Sequence, residues 1–153
     1  MTTPVDRFSL LSVRHGMTLG ALYSASRDDF ALVLAAAGAA FASDRTYTER
    51  EVNVVLRDWL ATAGAMLDVD HVELRRWLVD NRLLDRDGFG HAYTAGTPVP
   101  AMAAFATALS GVDLASVART ARERDARVRE ERKRDWADCQ RADAGKQAAP
   151  GNA

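Results

Sequence analysis

A mainly α fold, a winged helix-turn-helix made of three helices and a β-hairpin wing, is predicted by three observations on the sequence. Three segments between residues 26 and 81 place apolar residues at helical spacing, each behind its own capping residue. An Asp-Gly step with a second glycine behind it, "DGFG" at 87–90, follows the third segment between two short runs. The order helix, helix, helix, hairpin is complete within about 27–94, and it is the order in which a winged helix is built.

The first helix spans about 27–42. Ser26 precedes it, Asp29 sits at the third position in a variant of the capping box, and Phe30, Val33, Leu34, Ala37 and Phe41 share a face. In the second, Thr48 caps, Glu51 closes the box, Val52, Leu56, Trp59 and Leu60 face inward, and Gly64 follows the end. After the connector "ATAGAMLDV" the signature returns: Asp70 caps, Glu73 closes, and Leu74, Trp77 and Leu78 face inward as far as Asn81. Leu83 to Arg86 and His91 to Thr94 then flank the turn as the two strands of a wing. Pro98 and Pro100 break the chain, a short Ala-rich helix covers about 101–109, and Asp113 caps a long charged helix running to about 138. These features divide the chain into an N-terminal arm at 1–25, the winged-helix domain at 26–97, a C-terminal helical extension at 98–138 and a flexible tail at 139–153.

The 153 residues are enough for one ordinary core, and a formal net charge of -1 announces no polyanion as partner in bulk. Cys139 is the lone cysteine, which excludes an internal disulfide and a thiolate metal cluster. The longest apolar run, 30–42, is too short to span a bilayer and follows two aspartates rather than the positive charge of a signal peptide. The expectation is a cytoplasmic protein with no membrane span.

"YTEREVNVVL" at 47–56, followed by "DHVELRRWLVDNRLLDRDGFGHAY" at 70–93, resembles the bacterial family named domain of unknown function 2087. Tyr47, Glu49, Glu51, Val52, Asn53 and Leu56 fill its first motif. Asp70, Leu74, Arg75, Arg76, Leu78, Val79, Asp80, Leu84, Arg86, Gly88 or Gly90, and Tyr93 fill its second. The resemblance implies a winged-helix-like domain of the kind found in transcriptional regulators. The chain departs from the family's pattern in a longer connector between its two motif helices and in the charged helix at its C-terminus.

Charge decides how such a domain could meet DNA, which requires a positive face against the phosphates and donors aimed into a groove. Residues 44–93 carry seven basic side chains against ten acidic ones, and residues 119–146 carry ten against seven. The candidate nucleic-acid contacts are therefore Arg75, Arg76, Arg82 and Arg86 on the third helix and wing, and Arg119, Arg122, Arg129 and Lys133 along one side of the last helix. Arg75 and Arg76 also have a structural reading, as ion pairs to Glu51, Asp80 or Asp70. In the last helix Glu123 to Arg127, Asp125 to Arg129 and Glu130 to Arg134 are spaced for i,i+4 pairing. Val72 and Val79, outward on the third helix, make a candidate protein-interaction or dimerisation face, the rival to DNA binding. A small-molecule pocket lined by Trp59, Trp77 and Trp136 is a third reading.

Catalysis finds no constellation. "SVRHGMT" at 12–18 looks like the phosphohistidine loop of histidine phosphatases, but that chemistry needs a second histidine and an α/β sheet, whereas His71 and His91 sit on a helix and in a wing. The three histidines have no metal-ligand spacing. No enzyme activity, cofactor or metal is expected; duplex DNA, a second copy or another protein is the expected partner.

Overall fold

A computed structural model describes residues 1–147. The described chain is mainly helical, with seven helices and a small antiparallel sheet in the order α1 (Pro4–Ser12), α2 (Leu19–Ala25), α3 (Arg27–Gly38), β1 (Thr46–Thr48), α4 (Glu49–Ala61), α5 (His71–Asp80), β2 (Leu84–Arg86), β3 (Ala92–Ala95), α6 (Pro100–Leu109) and α7 (Leu114–Gln147). It divides into two compact units, Met1–Ala121 and a second that begins at Arg122, within α7. No single helix among the described residues is long and apolar enough to cross a membrane.

α3 is the centre of the first unit. Every residue from Asp29 to Ala37 is buried, the pattern of a helix with neighbours on all sides. α1, α2, α5 and α6 pack against it. Ala35, Ala36 and Ala37 put little bulk between α3 and its neighbours, and the Ala-rich α6 makes the most extensive contact with it. The helix stops at Gly38, short of the expected 42, where a Cβ would meet the Leu83 side chain at 3.1 Å. Phe41, expected on the helix, is buried in the following turn and meets Tyr47 edge-on at 5.2 Å.

Residues 1–25, expected as an arm, contain two helices that contribute to this core. Thr3 and Asp6 form a capping box, and Pro4 fills the first helical turn of α1. Phe8, Leu11, Leu19 and Leu22 are all buried, each contributing roughly 1.5–3 kcal/mol. Arg7 ties α1 to α3: its Nε donates to Asp29 Oδ1 at 2.8 Å and its Nη2 to Oδ2 at 2.6 Å. That pair holds the Asp29 carboxyl below the usual carboxylate range and raises the Arg7 guanidinium above its ordinary value.

The hairpin gains a strand that periodicity did not signal. β1 pairs antiparallel with β3, Tyr47 opposite Tyr93, and β2 lies on the other side of β3, Arg86 opposite Tyr93, so the sheet order is β1-β3-β2. Burial of Tyr47 between two exposed threonines explains how a strand of three residues is held, and its hydroxyl accepts from the Ala42 N–H at 2.8 Å. At the far end, α7 continues to Gln147 rather than about 138, so 139–147 of the expected flexible tail are helical; residues 148–153 of that tail lie outside the described residues.

Candidate nucleic-acid interface

α4 and α5 are started by the capping residues read from the sequence, but only α4 has the full box: Glu51 returns a bond to Thr48, whereas Glu73, expected to close the box on α5, returns none to Asp70 among the described residues. Thr48 Oγ1 accepts from the Glu51 N–H at 3.2 Å, and Asp70 Oδ1 accepts from the Glu73 N–H at 2.8 Å. The long connector between them is held by the segment before α2: the Met17 N–H donates to Met66 O at 3.0 Å, and the Asp68 N–H donates to Met17 O at 2.7 Å. Its extra length is thus ordered structure, paired to a part of the chain outside the helix pair.

From α5 to the hairpin the chain turns abruptly. Arg82 adopts φ +62, the left-handed conformation that glycine usually supplies at the end of a helix. The Leu83 N–H reaches back to Leu78 O at 2.9 Å and the Arg82 N–H to Val79 O at 3.1 Å, the paired bonds of a Schellman end. Gly96 closes on the same point, donating to Leu83 O at 3.0 Å. A Cβ there would lie 2.2 Å from the Arg82 carbonyl oxygen. The angle between helix and hairpin is fixed from both sides.

Leu74 and Leu78 are buried on the inner face of α5, while Val72, Glu73, Arg76 and Asp80 are exposed. Val79, expected to face outward, is half-buried against the core, because α5 packs on β2 as well as on α4. Arg75 is mostly buried, its side chain 17 % exposed; it donates to Asn53 Oδ1 at 2.6 Å and pairs with Glu49 at 3.0 Å. Its partners are on α4, not the Glu51, Asp70 or Asp80 that sequence proximity suggested. Glu51 is taken by Arg45 and by the Thr48 cap. Arg76, Arg82 and Arg86 are exposed, and none forms an ion pair among the described residues.

Arg75, Arg76 and Arg86 are brought together around a hollow of about 230 Å³, completed by Val72, Val79, Asp80 and Tyr93. Arg86 arrives there through strand alternation: Leu84 two residues earlier is buried on the same face of β2, and Arg86 stands beside Tyr93 across the ladder. Arg82 instead borders a more open hollow with Asp85, Arg86 and Asp87. At the wing tip, Asp87 Oδ1 accepts from the His91 N–H at 2.8 Å and the Phe89 N–H at 3.2 Å; these bonds, the His91 one foremost, hold its carboxyl below the ordinary value. Gly90, not Gly88, takes the positive φ of +71. Phe89 is 84 % exposed and stacks on His91.

The candidates on α7 are unlike one another. Arg119 donates to Ser116 Oγ at 3.1 Å and is otherwise exposed. Arg122 is half-buried and already engaged, and burial pushes its guanidinium below the ordinary value, so it is not the free cation the helical wheel suggests. Arg129 pairs with Asp125, the one i,i+4 pair of the three anticipated that forms an ion pair among the described residues, and Lys133 is exposed. Asp138 and Arg141 add a pair that was not anticipated.

The three tryptophans occupy separate environments. Trp59 is buried and borders an apolar hollow of about 430 Å³ with Ala36, Ala40, Val54, Val112 and Ala115. Trp77 packs edge-on against Phe30 at 5.3 Å, and Trp136 is exposed. Among the described residues no group of three His, Cys, Asp or Glu side chains is placed to hold a metal ion.

No curated protein and no solved structure matches the chain. Residues 23–95, a span that begins inside α2 and ends with β3, match the model of a family described as an uncharacterized protein conserved in bacteria, DUF2087.

Proposed function

We propose that residues 27–95 are a winged helix-turn-helix and that the protein is a cytoplasmic, non-enzymatic, transcription-associated regulator that binds duplex DNA, with α5 in the major groove and the β2–β3 hairpin as the wing. The observation that carries this reading is a helix pair, α4 and α5, followed directly by a hairpin whose rear edge is covered by β1, with an uncovered outer α5 face bearing Arg76 beside Arg82 and Arg86. A guanidinium that no carboxylate has neutralised keeps its full attraction for a phosphate, whereas Arg75, held by Glu49 and Asn53, serves to position the helix. Of the C-terminal set, Arg119, Arg129 and Lys133 are exposed enough to add phosphate contacts; Arg122 is withdrawn from it.

Fluorescence anisotropy of a labelled duplex from the protein's own upstream region, beside a scrambled duplex, tests the reading at low and moderate salt. Binding that prefers the native duplex and weakens with salt is expected, the slope counting the phosphates held. Absence of binding at low salt overturns it.

A second reading is favoured by the acidic excess of residues 44–93 and by Val72, 40 % exposed on the same face: a protein-interaction or dimerisation module. Val72→Glu separates the two, because it breaks an oligomer if that face is an interface and leaves the mass unchanged if it is free. Val79→Glu does not serve, since Val79 packs against the core and its loss perturbs the fold itself.

A further inference from the structure

The hollow between α5 and the hairpin has a composition that packing alone does not explain. Its volume of about 230 Å³ is below the roughly 300–1,000 Å³ of pockets that enclose a drug-sized molecule, so it suits a single small group. Two exposed guanidiniums, Arg76 and Arg86, line it and pair with no carboxylate among the described residues, although Asp80 lines the same hollow. Tyr93 also lines it; the residue as a whole is 2 % exposed, and its hydroxyl makes no hydrogen bond among the described residues. Arg75 completes the wall with its charge already committed to Glu49.

Two guanidiniums without an ion pair among the described residues and a tyrosine whose hydroxyl is unengaged there line one small space, and Asp80 is the one acidic side chain in its lining. Such donors are satisfied by a tetrahedral oxyanion, and the fork geometry of arginine suits phosphate in particular. We propose that the hollow lined by Arg76, Arg86 and Tyr93 is a phosphate-binding pocket that holds one phosphodiester of a nucleic-acid backbone. It rests on the nucleic-acid reading for the source of the phosphate, not for the chemistry of the pocket. Arg76 and Arg86 supply charge, the Tyr93 hydroxyl donates a neutral hydrogen bond, and Asp80 opposes the anion. Phosphate held there would fix the depth of α5 in the groove, as backbone contacts do.

The three roles differ in what they do to salt dependence, and this gives the test. Duplex anisotropy is measured across a salt series for the full chain and for Tyr93→Phe, Asp80→Asn and the double variant Arg76→Gln/Arg86→Gln. Inorganic phosphate is titrated into the same proteins at constant ionic strength and followed by NMR. Expected results are a salt slope lower by about two in the double variant, binding weaker by about tenfold in Tyr93→Phe with the slope unchanged, and tighter binding in Asp80→Asn. Tyr93→Phe keeps the buried ring, so a folding defect does not mimic the loss. If duplex binds the wild type and all variants alike, the pocket is overturned while the nucleic-acid reading stands on other residues. If no duplex binds, that reading fails and phosphate decides. Shifts at Arg76, Arg86 and Tyr93 that vanish in the double variant retain the pocket with a free phosphate compound as its source. Their absence overturns it too.

Discussion

Arg82 is the residue where stability and the proposed function pull apart. A left-handed conformation costs a residue with a Cβ about 1–2 kcal/mol relative to glycine, and Arg82 holds φ +62 at the Schellman end of α5. Arg82→Gly is expected to raise stability by about 1 kcal/mol in chemical denaturation and, if the guanidinium meets a phosphate, to weaken duplex binding at the same time. Gly96→Ala has the opposite sign for a steric reason: its Cβ would collide with the Arg82 carbonyl oxygen, and a loss of more than about 1 kcal/mol is expected by the same measurement. Neither feature was legible in the sequence, since nothing around "DNRLLD" signals a left-handed arginine and the partner of Gly96 lies across the turn. Capping residues were legible, because Thr48 with Glu51 and Asp70 with Glu73 act over three positions of chain. Arg75 was not: its partner Asn53 is 22 positions away, a distance that local spacing does not report.

The individual elements show the same divide between local and distant causes. α3, α4 and α5 are legible in their apolar stripes, and the hairpin in its turn. α1 carries an equally local signature in Thr3, Pro4 and Asp6, but its apolar stripe is short, because only Phe8 and Leu11 mark its buried face with large side chains. Phe8→Ala is expected to destabilise the first unit by about 3–5 kcal/mol in a thermal or urea melt, a cost no loose arm would produce. β1 is too short for alternation to be seen and exists because β3 offers it an edge. The tie between α1 and α3 titrates. Asp29 is lowered in the folded protein, chiefly by its hydrogen bonds to Arg7, so its contribution is fully present above the ordinary carboxylate range and is lost as pH falls through the lowered folded value. Melting temperatures taken from pH 6 down to pH 2 are expected to fall less steeply at the acid end for Asp29→Asn than for the wild type. Parallel curves would show that the Arg7–Asp29 pair does not set the acid limit.

For the whole molecule, bulk charge is a poor guide. The formal net charge is -1, yet the acids and bases are distributed so that, among the described residues, Arg76, Arg82 and Arg86 have no ion pair beside one helix and hairpin. The second unit is described by α7 alone, with Asp125–Arg129 and Asp138–Arg141 pairs along it and Lys133 and Trp136 exposed. An exposed i,i+4 pair contributes only about 0.3–0.5 kcal/mol, so Arg129 is readily given up to a phosphate. Replacing Arg129 and Lys133 together by Gln is expected to lower the salt slope of duplex binding by at most about two while leaving the melting of the first unit unchanged. Both basic sets are legible in the sequence, but their order of importance is not, because it depends on which carboxylates the fold has already engaged.

Whether α5 and the β2–β3 hairpin hold duplex DNA, as proposed above, can be read residue by residue. The most direct measurement is a map of amide chemical-shift changes in the isotope-labelled full chain as duplex is added. The largest changes are expected at 72–82 and 84–92, with smaller ones along α7. Changes confined to 122–147, or none at 72–92 at concentrations where anisotropy reports duplex binding, would contradict that reading.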